Sequence, residues 1–175
     1  MKPLLLAAIV VGHAVIQGLL VLADPVPSAA PGFIVLVLAS LVALILATWA
    51  ALLVLSGPTA RRLRTLAWVA AAVIVTAALS VLSPLLAPVG LVLALIVVPA
   101  AATGNVVDGF RAFRRTPVRH VLAILGVILA CVVAWVVALL LGLLVTGVAA
   151  SVATWLCFGL LGALVLTAWV RFVRR

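Results

Sequence analysis

Apolar residues run in long blocks along this chain, separated by short polar or basic stretches, with no alternation of the kind a half-buried strand or a soluble amphipathic helix would show. Residues 3–22 are uncharged and apolar apart from His13 and Gln17. About twenty helical residues at about 1.5 Å each cross a hydrocarbon core of about 30 Å, so this block predicts a first transmembrane helix. Residues 23–32 hold three prolines and a glycine and predict a loop. A second span follows over 33–55, closed by Ser56, Gly57 and Pro58. Residues 66–103 contain no charge; as one helix they would measure about 57 Å, so the chain has to turn back. The breakers Ser83, Pro84, Pro88 and Gly90 place a tight hairpin between spans at 66–82 and 88–103. Both arms are short, and a re-entrant segment over 83–99 is the alternative. The uncharged block 121–170 also has to fold back, and Thr146-Gly147 divides it into spans at 121–145 and 149–170.

Between the two halves lies a basic link over residues 104–120. Read as helix, it gathers Val106, Val107, Phe110 and Phe113 on one side and turns Arg111, Arg114 and Arg115 elsewhere, the pattern of a segment lying on a membrane surface. Arg119 completes its four arginines. With the N-terminus inside, Lys2, then Arg61, Arg62 and Arg64, then the four arginines of the link, then Arg171, Arg174 and Arg175 all fall on the cytoplasmic side, which accounts for all 11 Lys and Arg. A re-entrant 83–99 would put the link outside and break that rule. The expectation is therefore an all-α, polytopic bundle of six spans in a single membrane domain covering 1–175, both termini cytoplasmic. Residues 1–23 also carry features of a cleaved signal peptide, with Lys2 ahead of an apolar run; its length, His13, Gln17 and Pro25 favour a retained helix.

Composition narrows the class. The chain is 70% hydrophobic and 7% charged, against about 45 to 50% and about 25% in soluble domains. A net charge of +9 would suit nucleic acid only if the basic residues formed a patch on a polar domain, and the sequence has no such domain. Arg61, Arg62, Arg64, Arg111, Arg114, Arg115 and Arg119 are candidate contacts for anionic lipid headgroups, although setting topology alone would also explain them. Richness in Ala, Val and Leu, with Arg preferred over Lys, points to a GC-rich bacterial genome and a bacterial cell membrane.

Lipid tails are as apolar as Leu, so spans associate through small residues and interhelical hydrogen bonds. Gly126, Ala130, Ala134, Ala138 and Gly142 recur every four residues and predict a helix-contact ridge, within the bundle, with a second copy, or with another membrane subunit. Ala39, Ala43, Ala47 and Ala51 form a second row; Ala72, Thr76 and Ser80, and Gly159, Ala163 and Thr167, form shorter ones. Trp49, Trp68 and Trp169 read as headgroup-level anchors, Trp135 as a mid-span contact with another helix, and Trp155 as either. Cys131 and Cys157 lie inside apolar blocks and read as small hydrophobes.

Candidate chemistry is sparse. Asp24 and Asp108 fall on opposite sides of the membrane, no metal-ligand cluster or phosphate-binding loop is present, and no cofactor is expected. Asn105 and Asp108 suit capping and turn roles. His13 and Gln17 sit four apart near mid-span, on one face; they are either an intramembrane site on a proton or solute path or a structural hydrogen-bonding pair.

The sequence Asp108-Gly-Phe-Arg-Ala-Phe-Arg-Arg-Thr-Pro-Val-Arg, a basic amphipathic elbow leading into two long apolar helices, resembles bacterial membrane domains attached to glycerophosphodiester phosphodiesterases and small polytopic relatives of them. The resemblance covers residues 106–175. It implies a membrane domain without the phosphodiesterase and brings no catalytic residue. The functional expectation is a non-enzymatic subunit, scaffold or accessory protein of a membrane assembly. The alternative is an oligomeric small-solute transporter or channel with His13 and Gln17 on its path, and a lipid-modifying enzyme stands third.

Overall fold

A computed structural model describes residues 2–23, 30–57, 62–115, 117–145 and 147–173. Among them every regular element is helical: α1 (Lys2–Ala23), α2 (Pro31–Ser56), α3 (Arg62–Leu82), a single 3₁₀ turn (Pro84–Leu86), α4 (Ala87–Thr103), α5 (Val106–Arg115), α6 (Pro117–Leu144) and α7 (Gly147–Val173). Five of these, α1, α2, α3, α6 and α7, are long and apolar enough to cross a membrane. α4 is apolar but has only 17 residues, about 25 Å of helix.

Local chemistry sets the helix ends. Pro31 opens α2, where its missing N–H costs nothing, and Gly57, at φ +77°, closes it by donating its N–H to Leu53 O at 2.9 Å. Gly147, at φ +69°, starts α7, at the turn expected there. The 83–90 hairpin is tighter than its breakers suggested, because Pro88 is tolerated in the first turn of α4. Gly90 also lies inside α4, where a Cβ would stand 3.0 Å from Thr76 Cα on α3. The basic link is shorter than 104–120. Residues 106–115 form α5, and 117–120 belong to the first turn of α6.

Neighbours along the chain pack against each other, and α7 closes the ring on α1. The order around the bundle is α1, α2, α3, α4, α6, α7, with α2, α4 and α7 also meeting across the middle. One core cluster joins Leu52 and Leu55 of α2, Val69 of α3, Val98 of α4 and Val170 of α7, with Leu6 of α1 beside it. A second joins Leu95 and Ile96 of α4, Val127 of α6 and Trp169 of α7. Together the two clusters unite helix starts of α1, α3 and α6 with helix ends of α2, α4 and α7, so the core occupies one half of the bundle. That half carries Lys2, Arg62, Arg64, Arg111, Arg114 and Arg171 at its edge, and it is called the basic end below. α4 runs through its centre, with Leu95, Ile96, Val98, Ala100, Ala101 and Ala102 buried.

Small residues let these helices approach. Gly18 of α1 lies against Val152 of α7, and a Cβ on Gly159 of α7 would stand 2.6 Å from Val10 Cγ1 of α1. Gly109 of α5 sits directly on the Ile96 carbonyl of α4, with Ala100 Cβ 3.2 Å from where its own Cβ would be. Of the four rows, Ala39, Ala43, Ala47 and Ala51 turn inward as expected, as do Ala72, Thr76 and Ser80 and Gly159, Ala163 and Thr167. The α6 row divides: Ala134 is buried and Ala130 and Ala138 are half-buried, whereas Gly126 and Gly142 face open space.

Two tryptophans correct the sequence reading. Trp135, expected against another helix, is 64% exposed on the apolar outside of α6, and Trp169, expected as a headgroup anchor, is 4% exposed in the second core cluster. Trp49 does bridge two helix ends, its indole N–H donating to Arg62 O at 3.1 Å. Cys131 and Cys157 are both free and half-buried, Cys131 against the second cluster.

Candidate functional site

The buried face of α1 comprises Val10, His13, Ala14, Gln17 and Gly18, the spacing of one helical stripe. It meets α7 along an antiparallel seam in which Val10 opposes Gly159, His13 opposes Trp155 and Gly18 opposes Val152. The same stripe meets α2 at Ser40. The two polar residues expected to mark a site are therefore brought together at the junction of three helices, 7% and 3% exposed.

Gln17 and Ser40 satisfy each other. The Ser40 hydroxyl donates to Gln17 Oε1 at 2.8 Å, and Gln17 Nε2 donates to the Ser40 backbone oxygen at 3.2 Å. This two-point clasp fixes both the amide orientation and the register of α1 on α2. Interhelical hydrogen bonds of this kind contribute about 0.6 kcal/mol on average in membranes and up to about 1.7.

His13 is different. Its ring lies edge-to-face with Trp155, centroids 5.3 Å apart at 89°, and Trp155 stands edge-on to Phe158 at 6.1 Å. Both ring nitrogens are buried without a hydrogen-bond partner. A neutral imidazole carries one N–H donor and one acceptor, and leaving a buried donor unmade costs about 1–3 kcal/mol. The junction thus holds one polar group with unused bonding capacity, and that group can exchange a proton.

Ser40 and Trp155 complete the site; neither was singled out as part of it from sequence. Ser40 could have been found, since it is one of two hydroxyl residues in the second apolar block. His120 was also passed over. It is buried at the basic end, edge-on to Trp169 with centroids 6.4 Å apart, and its place just ahead of an uncharged block was the available signal.

The basic clusters separate from the His13 junction. Arg62, Arg111 and Arg114 are exposed and Arg64 is half-buried at the basic end. Arg61, Asp24 and the side chains of Arg115, Arg119 and Asp108 lie outside the described residues. Val107 and Phe110 of α5 are half exposed beside its arginines, as a helix at an interface requires. Among the described residues, no group of three or more His, Cys, Asp or Glu comes together. No family model, curated protein or solved structure matches the chain.

Proposed function

We propose that this chain is a non-enzymatic, multi-pass subunit or accessory protein of a larger assembly in a bacterial cell membrane. In this reading α4 is the short sixth span and the basic end faces the cytoplasm. The observation that carries the reading is α6. Within the chain it meets α7 along one edge, and α4 and α5 at the basic end only. The rest of it is bare, from Leu122 through Trp135 to Leu144, and it keeps Gly142 with nothing within 4 Å of where a Cβ would be. Glycine costs a helix about 1 kcal/mol relative to alanine. On an outer face without a cleft, a glycine against bulk lipid returns nothing for that, whereas against a partner helix it permits close backbone approach. The test is to tag the C-terminus, extract in mild detergent from the native host, and identify stoichiometric partners by mass spectrometry. A defined partner that is lost from Gly142→Leu supports the reading; a chain that purifies alone, or a partner indifferent to Gly142, overturns it.

The unpartnered nitrogens of His13 favour a second reading, an oligomeric small-solute transporter or channel with His13 and Gln17 on its path. Proteoliposome flux measured against pH tests it. The wild-type profile should be lost in His13→Ala, and a variant with an unchanged profile rules the reading out.

A further inference from the structure

At the basic end α6 and α7 part to leave an open cleft of about 250 Å³, walled by Ala123, Gly126 and Val127 on one side and by Val165, Ala168 and Trp169 on the other. The missing side chain of Gly126 makes the space, for a Cβ there would meet nothing within 4 Å. Trp169 gives the cleft a fixed wall, because it is itself held by Leu95, Ile96 and Val127 and by the His120 ring. Apolar walls facing a void lose their dispersion contacts, and even a closed apolar cavity of about 150 Å³ admits a benzene-sized hydrocarbon. In a bilayer the available filler is an acyl chain.

The cleft also has a charged mouth. Arg171 is exposed in the last turn of α7, three residues beyond Ala168 and so on the same helix face as the cleft wall. With 11 Lys and Arg against two acids, the chain cannot balance this charge internally. We propose that the α6–α7 cleft is a specific site for one anionic phospholipid, an acyl chain lying along Gly126 and Ala168 and the headgroup phosphate paired with Arg171. Unlike the diffuse attraction of basic clusters to a charged surface, this is a shaped site that selects a single lipid molecule. It stands independently of the subunit reading.

Native mass spectrometry of the full chain, released from discs of equimolar phosphatidylglycerol and phosphatidylcholine, tests the site. The wild type should retain one phosphatidylglycerol. Gly126→Leu, whose Cβ would meet nothing within 4 Å and whose side chain would occupy the cleft, should lose it, while Gly12→Leu, on the exposed face of α1 with equally open space around it, should keep it. Arg171→Gln should reduce the preference for phosphatidylglycerol about fivefold, the factor equivalent to about 1 kcal/mol per arginine near the surface. Should Gly126→Leu not fold, Ala168→Leu fills the cleft from the other wall. Retention at wild-type level by the folded cleft-filling variant, or equal retention of the two lipids by the wild type, overturns the proposal.

Discussion

Gly109 and Gly126 are both helical glycines at the basic end, and their surroundings are opposite. A methyl group at Gly109 would run into the Ile96 backbone of α4, which has no flexible end to swing aside, so Gly109→Ala should lower stability by about 1–3 kcal/mol, the usual cost of overpacking. At Gly126 the same change meets open space, and helix propensity favours alanine by up to about 1 kcal/mol. Unfolding followed in detergent should show the first variant melting earlier and the second no earlier than the wild type. A Gly109→Ala protein of normal stability would mean that α5 does not seat on α4 as described. The Gln17–Ser40 clasp is open to a double-mutant cycle with Gln17→Leu and Ser40→Ala. A coupling energy of about 0.6–1.7 kcal/mol is expected, and a value near zero would show that the two side chains act separately.

Within α6, Ala134 is buried and Val136, two residues on, is 44% exposed. Ala134→Leu should therefore destabilise the bundle more than Val136→Leu, and equal melting of the two would place the inner face of α6 elsewhere. Element ends were largely legible in the sequence. Glycines, prolines and charges interrupt the apolar blocks: α3 stops at Leu82, just before the breakers Ser83 and Pro84, and α4 stops at Thr103, where the uncharged run ends. The azimuth of each helix was much less legible. When lipid replaces water, the outward face is as apolar as the inward one, so hydrophobic periodicity no longer tells them apart. Only small and polar residues mark the inside. They did so for the Ala39 to Ala51 row and for His13 with Gln17, but not for Trp135 and Trp169, whose rings suit lipid, headgroup or a neighbouring helix alike. For the candidate site, the pair on α1 was readable because its four-residue spacing is local. Ser40 and Trp155 come from helices far along the chain, and no local pattern announces such a meeting.

For the whole molecule, the proposed orientation makes a labelling experiment decisive. Leu85 in the turn after α3 and Leu63 at the start of α3 are both strongly exposed, at opposite ends of one helix. In intact cells a membrane-impermeant thiol reagent should reach Leu85→Cys and should reach Leu63→Cys only after permeabilisation; the reverse pattern would invert the bundle. Val118→Cys, at the exposed start of α6, should behave like Leu63→Cys if α4 crosses the membrane, and like Leu85→Cys if α4 turns back within it. The ring closure of α1 on α7 has a consequence in time. Ribosomes add about 5–20 residues per second, so the 150 residues from Ala23 to Val173 take roughly 8 to 30 s to appear. Once α2 has followed, early in that interval, the Gln17–Ser40 clasp can hold α1 to α2, while His13 and the bare seam at Val10 and Gly18 still await their counterpart. The nascent bundle is an open horseshoe with a polar notch facing lipid, and synthesis of its last helix is the step that locks it.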